Sequence, residues 1–322
     1  MISYQAAVLH NLDLLTEIMK HLCYVDVMAF RWTCHHCQKV NQPSFKEIIV
    51  NRLSDLLQFD PNLREIFPTH EVYKQSVSDL RERLYRGRIT DPEEYRTVGE
   101  LMQKHRHYFF QELIESKSII SGSFIIDCLY DTNHHNDIDI YVSDGKMDDY
   151  MRVSGFVDKI NPSSDQSLPV TNLVLQNGDQ SIHVQLIYIP LAFYEANVDS
   201  VKDIRSVINA TYDLDICKSS FECERLYVRS WPKLFGRYDY IKCNMRFVMR
   251  YYGGDLAEDG GVNLEATEER MKKYQDRGFR IEHHPMNSQI VDHIMNSMSD
   301  PELIGIDAVL TGKINLDKFF LE

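Results

Sequence analysis

Long apolar runs are missing from this chain of 322 residues. Stretches such as Leu186 to Ile189 or Phe247 to Met249 fall far short of the ~18 residues that a helix needs to cross a bilayer, so no membrane span is expected. A basic-then-apolar leader is missing too, since Met1 to Leu12 carries no Lys or Arg, and the reading is against secretion. Positive charge is scarce. With 35 Lys plus Arg against 48 Asp plus Glu, the formal charge is −13. That removes the basic footprint from which a general nucleic-acid coat draws its affinity. Seven cysteines are an odd number, and without an export signal they read as reduced thiols in the cytoplasm or nucleus, not as a disulfide framework.

What is present is an ordinary globular composition, with 43% hydrophobic and 26% charged residues and no internal repeat. The length suits two domains. Residues 1–115 read as helical. Leu12, Leu15, Ile18, Met19 and Leu22 recur at three- and four-residue spacing, and Val25, Met28, Ala29 and Trp32 make a second such face, with Asp26 placed to cap it. Further helices are expected over Phe45 to Leu57 and Asp91 to Ser116, with short helices and connections from Asp60 to Arg88. Residues 116–322 change pattern, to strands with flanking helices. The fold class read from this order is α+β, a helical N-terminal module followed by a mixed sheet.

The informative stretch begins at Ser118. Ile119 and Ile120 form a short apolar strand that breaks at Gly122-Ser123, Phe124 to Tyr130 suits a helix, and Asp131 to Asn136 is a polar loop. Asp137-Ile138-Asp139-Ile140-Tyr141-Val142 then alternates with period two, the mark of a half-buried strand. This parity sends Asp137 and Asp139 to one face and Ile138, Ile140 and Val142 to the core. Two stacked carboxylates repel, a penalty that a divalent cation removes, and hard oxygen ligands with a phosphate suit Mg²⁺. Gly122 lets backbone approach a phosphate closely, while Ser123 and the helix behind it present amide donors. Together the four residues would hold a metal–nucleoside triphosphate. A hairpin is expected at Asn177-Gly178, between Thr171 to Gln176 and Ser181 to Ile189.

These residues resemble the nucleotidyltransferase superfamily typified by DNA polymerase beta, whose hallmark is an apolar residue and Gly-Ser, a gap, then Asp-apolar-Asp/Glu-apolar. The match is Ile120 to Ser123 and Asn136 to Ile140, within residues 118–215. The resemblance implies that Asp137 and Asp139 hold Mg²⁺ and act in catalysis, that Gly122 and Ser123 bind the triphosphate, and that a nucleotidyl group passes to a hydroxyl acceptor. It also implies a third carboxylate on a later strand. In Ile182-His183-Val184-Gln185-Leu186-Ile187 the outward position is Gln185, a weak ligand and no base. Asp213 and Asp215 alternate again: either they supply the missing acid from another strand or, as the local pattern favours, they lie at a strand edge. The chain is also similar to nucleotidyltransferase-like proteins of large DNA viruses at Asp213 to Lys218 and at Lys273-Tyr274-x-x-Arg277-Gly278-Phe279, which would set it in an infected host cell. Locally, Gly278 reads as the residue that ends a helix after basic Lys272, Lys273 and Arg277.

Leu12 to Val40 resembles an F-box, the helical module that docks the Skp adaptor of cullin–RING ubiquitin ligases. The carriers are Leu12, Leu15, Ile18 and Leu22, then Tyr24 to Asp26, Thr33-Cys34 and Phe45, although Leu12-Asp13 stands where the family has Leu-Pro. This implies a second function, a non-catalytic substrate adaptor whose anchors would face solvent in the free chain. Cys34-His35-His36-Cys37 lacks a second ligand pair for zinc, and packed thiols are the expectation. His134-His135 reads as a solvated loop pair, with contact to a phosphate as the alternative. Charge separates the two parts: residues 1–115 hold 14 basic and 16 acidic residues, or −2, and 116–322 hold 21 and 32, or −11. Acidity in the nucleotidyltransferase-like part favours a small nucleotide or a protein partner over a long nucleic acid.

Overall fold

Spacing and capping account for the N-terminal helices. In the computed structural model, which describes residues 12–33, 37–40, 44–58, 75–76, 78–79, 82–83, 86–88, 91–143, 145–159, 169–189, 204–212, 214–241 and 264–283, α1 spans Leu12–Met19. It buries Leu15 and Met19 against Val27 and Val40, with Leu12 and Phe30 partly buried beside them. The expected face is narrower than the spacing suggested: Ile18 and Leu22 lie outside it and are 44% and 41% exposed. Helix α2 (Tyr24–Arg31) buries Tyr24, Val25 and Val27. Its N-cap position is Cys23, not Asp26. Asp26 lies within the first turn, where it favours the positive helix end and its carboxylate accepts from Cys23 Sγ at 3.1 Å. Trp32, expected on the apolar face, is exposed because the helix stops one residue before it.

Helix α3 (Phe45–Leu57) begins where Ser44 Oγ accepts the Glu47 amide at 3.3 Å, and it buries Phe45, Ile49, Leu53 and Leu57 along one stripe. Helix α4 (Pro92–His105) starts with Asp91 as cap and Pro92 in its first turn. The helix expected to continue to Ser116 instead breaks into a tight turn at Arg106–Tyr108 before α5 (Phe109–Glu115). Tyr108, Phe109 and Phe110 are all buried, and three consecutive side chains cannot share one face of a continuous helix. Arg106 fixes the break, donating to the carbonyls of Leu57 at 3.1 Å and Ser154 at 3.0 Å.

The remaining elements of the sheet region are β1 (Ile119–Ser121), α6 (Ser123–Tyr130), β2 (Ile138–Val142), α7 (Lys146–Val153), β3 (Val157–Asp158), β4 (Val170–Asn177) and β5 (Gln180–Tyr188). After α8 (Ile204–Thr211) come β6 (Ser220–Glu222), β7 (Arg225–Tyr227), α9 (Trp231–Gly236), β8 (Tyr238–Ile241), α10 (Leu264–Asp276) and β9 (Arg280–His283). Strands one to seven form a mixed sheet in the order β3-β4-β5-β2-β1-β6-β7, so the acidic strand lies at its centre. The α+β class is therefore as expected: N-terminal helices, then a mixed sheet with flanking helices. Helices α2 and α3 pack on α6, and α6 packs on β1 and β2. Ile182, Val184 and Leu186 face the core as their parity required. The β4–β5 hairpin turns one residue later than expected. Asn177 pairs with Gln180, leaving Gly178-Asp179 as the two-residue turn, with Gly178 at φ 61°.

The chain forms two compact units. The first takes in Met1–Pro162, Val170–Ile187 and Ser220–Tyr227, and so contains the N-terminal helices and the seven-stranded sheet. The second takes in Ser163–Pro169, Tyr188–Ser219 and Val228–Glu322. Within it β8 and β9 pair in parallel, and α10 ends as its sequence implied. Gly278, at φ 85°, donates to the Gln275 carbonyl at 2.9 Å, and Phe279 donates to Tyr274 at 3.0 Å. Among the described residues no helix is long and apolar enough to cross a membrane.

Candidate functional site

Strand register brings the Gly-Ser turn and the acids together. Strands β1 and β2 are antiparallel, with Ile119 opposite Tyr141, Ile120 opposite Ile140 and Ser121 opposite Asp139. The chain therefore leaves β1 into Gly122-Ser123 right beside the acidic end of β2. Gly122 sits at φ 79° and ψ −152°, a region that a side chain makes strained. All eight residues of α6 are buried, so its first turn is fixed, and the amides there have no partner within the helix. Ile138, Ile140 and Val142 are buried, whereas Asp137 and Asp139 are half-buried. A backbone turn with helix-end donors thus lies beside the strand end that carries two carboxylates, residue types complementary to a phosphate chain carrying a divalent cation.

The residues weighed for the third acid have their own surroundings. Gln185 lies on β5, the sheet neighbour of β2, half-buried on the face opposite Leu186 and paired across to Asn172. Asp215 is no strand-edge residue. It heads a short turn of helix, Ile216–Lys218, in the second unit, where its carboxylate accepts from Lys218 Nζ at 3.0 Å and from Lys233 Nζ. Lys233 also bonds Asp239 at 2.6 Å, and the second oxygen of Asp239 takes the Ile216 amide at 2.9 Å. Burial pushes the Asp239 carboxyl above its usual range, against the pull of Lys233. Asp215 is occupied by lysines. Asp213 lies outside the described residues, as do Cys34, His35 and His36 of the zinc motif; Cys37 is buried and forms no disulfide among the described residues.

Among the described residues no three His, Cys, Asp or Glu side chains converge as a metal site. Two carboxylates nonetheless fit Mg²⁺, which holds much of its shell as water and substrate phosphate. The half-buried Asp137 and Asp139 beside the Gly122 cradle are such a donor set.

One residue of the region escaped the sequence reading. Asp127, in the middle of α6, is fully buried and accepts four bonds: Thr132 Oγ1 at 2.7 Å, the amides of His134 and His135 at 2.7 and 2.6 Å, and His135 Nδ1 at 2.8 Å. Burial opposes its ionisation, yet the bonds from His135, Thr132 and the two amides outweigh that and bring its carboxyl down to about 2. His135 is consequently not a solvated loop residue. Its ring meets Phe124 edge to face at 5.1 Å, while His134 is exposed. The one legible signal was a lone carboxylate inside an otherwise apolar helix. From outside, Arg52 of α3 donates to the Thr132 carbonyl and reaches Asp131 at 3.1 Å.

No family model matches the sequence, and no curated protein matches it. Two solved structures are similar, a CCA-adding enzyme in apo form I and a CCA-adding enzyme in complex with ATP. Each is 16% identical over 69% of this chain, with a TM-score of 0.35. The chain spans less than half of those enzymes' length, 46% and 45%. The site is therefore read from its own geometry.

Proposed function

We propose that the chain binds a metal–nucleoside triphosphate and transfers a nucleotidyl group to a hydroxyl acceptor. The observation that carries this reading is the pairing of Ser121 with Asp139, which sets the Gly122-Ser123 turn beside the acids. Asp137 and Asp139 hold Mg²⁺, which when bound neutralises the phosphates and polarises the α-phosphorus. Gly122 and the first amides of α6 grip the phosphate oxygens. The acceptor oxygen bonds to the α-phosphorus, the bond to the bridging oxygen breaks, and pyrophosphate leaves with that electron pair. Gln185 cannot take the hydroxyl proton, which passes to water, so turnover is slow. The acidity of residues 116–322 favours a small acceptor or a protein over a long nucleic acid. Incubation with Mg²⁺ and labelled nucleoside triphosphates tests this. Asp137→Ala/Asp139→Ala is expected to abolish labelling, and equal signal from that variant sinks the reading.

A second reading is supported by the N-terminal helices. Ile18 and Leu22, two of the F-box-like anchors, are exposed, as is Leu14. Exposed apolar anchors suit docking of a Skp adaptor through Leu12 to Val40, with the chain as a non-catalytic substrate adaptor of a cullin–RING ligase. Leu15 is buried and serves badly as a probe, because Leu15→Asp would unfold the helix pair. Capture by the adaptor should be lost on Ile18→Asp/Leu22→Asp; unchanged capture removes this reading.

A further inference from the structure

We propose that Asp127 is a positioning residue that sets the Asp137 end of the acid pair against the Gly122-Ser123 turn, an assignment that rests on the metal–triphosphate reading above. Helix α6 carries the triphosphate-facing amides at its first residue, and Asp127 comes one turn later on the same rigid, fully buried rod. The carboxylate's partners are all in the loop that returns to β2: the Thr132 hydroxyl, the amides of His134 and His135, and the His135 ring. Four donors use the acceptor capacity of an ionised carboxylate, leaving the loop no alternative bonding pattern at that point. Only Asn136 separates His135 from Asp137, so the Asp137 backbone stays within ~7 Å of a residue bonded three ways to α6. Phe124, next to Ser123, supports the His135 ring from the first turn, and Arg52 holds the Thr132 carbonyl from α3. One helix therefore fixes both halves of the site: the phosphate donors directly, the metal acid through Asp127.

A merely structural buried carboxylate would alter stability and leave the ratio of metal to nucleotide affinity alone. A positioning carboxylate alters that ratio. The experiment uses the full chain, Mn²⁺ titrated in the presence of ATP and followed by water-proton relaxation, with ATP affinity measured separately without metal. In Asp127→Asn the charge is lost and one oxygen is left for the amides of His134 and His135 and the His135 ring, so the bonds that hold the loop are weakened. Mn²⁺ affinity should fall about tenfold or more, as for other groups that orient metal ligands. ATP affinity without metal should stay within about threefold, since Gly122 and α6 remain. Hydrogen exchange at the His134 and His135 amides reports release of the loop. Unchanged Mn²⁺ affinity with the loop released, or equal losses of Mn²⁺ and ATP, overturns the assignment. If Asp127→Asn does not fold, Thr132→Val removes one donor and keeps the charge; it should weaken Mn²⁺ about threefold, and no change overturns the assignment. A wild-type chain that binds no Mn²⁺ with ATP overturns the functional reading itself, and the assignment falls with it.

Discussion

Two segments of this chain share one local pattern and have opposite fates. Asp137-Ile138-Asp139-Ile140 and Asp213-Leu214-Asp215-Ile216 both alternate acid with apolar residue. In the first, the apolar residues enter the core of a central strand and the acids are left half-buried beside a glycine turn. In the second, Asp215 is buried at the head of a helical turn with Lys218 and Lys233 against it, and Lys233 is shared with buried Asp239. Alternation says where apolar residues go. It does not say what meets the acids, and that is what separates a candidate site from an ion-paired core. A buried carboxylate must find its cation or its donors on folding, while a half-buried pair can still exchange its bonds with water.

The sharpest way to break this contrast is to take the cation away. Lys233→Met leaves two buried carboxylates without their shared partner, and a loss of about 3 kcal/mol or more is expected in urea unfolding. Asp137→Ala/Asp139→Ala takes away half-buried carboxylates that still reach water, and a clearly smaller loss than for Lys233→Met is expected. Similar losses in both variants would erase the distinction.

Acid titration comes next. Asp127 is held at about 2 against an ordinary 3.8, which corresponds to about 2 kcal/mol of stability at 1.36 kcal/mol per unit. A depressed carboxyl stabilises above its unfolded value and loses that contribution as pH falls through its folded one. The stability gap between wild type and Asp127→Asn should therefore close between about pH 4 and pH 2. Asp239, raised by burial, has the opposite sign: its contribution worsens as pH rises through the unfolded value, so Asp239→Asn should not reproduce the closing gap. Parallel curves for the two variants would show that burial, not bonding, governs both carboxylates.

Two smaller effects address the third acid. Gln185→Glu puts a carboxylate on the strand beside β2 and should raise Mg²⁺-dependent transfer about tenfold, the low end of what a positioned base contributes. No gain would place the missing base elsewhere. Asp215→Asn should leave Mn²⁺ affinity with ATP within about twofold, because its partners are lysines. A large loss would make Asp215 a ligand after all.

Much of this architecture was legible in the chain. Phe45 to Leu57 was bounded correctly because one apolar stripe, a Ser cap and a polar end agree. The strand–turn–helix–loop–strand order from Ile119 to Val142 was legible for the same reason, since period, glycine and acid placement all pointed one way. Errors fell where tertiary packing outweighed local spacing: Ile18 and Leu22 outside the buried face, the break at Arg106, and the hairpin turn shifted to Gly178-Asp179. Of the candidate site, the four residues Gly122, Ser123, Asp137 and Asp139 are proposed from pattern alone, and the structure adds only that register sets Ser121 opposite Asp139. Asp127 could not be named so, because nothing near it in sequence announces that a loop will return to donate four bonds.

By itself the sequence determined the helices, the parity of β2 and β5, and the absence of an acid at position 185. Those properties depend on which residue types recur at period 3.6 or 2, and each chain segment carries that information locally. The pairing of Ser121 with Asp139, the closure of the 131–136 loop on Asp127 and the capture of Asp215 by Lys218 and Lys233 were decided only in the folded chain. Register and the partners of a buried charge depend on which groups the whole fold removes from water together. No local window of sequence contains that information.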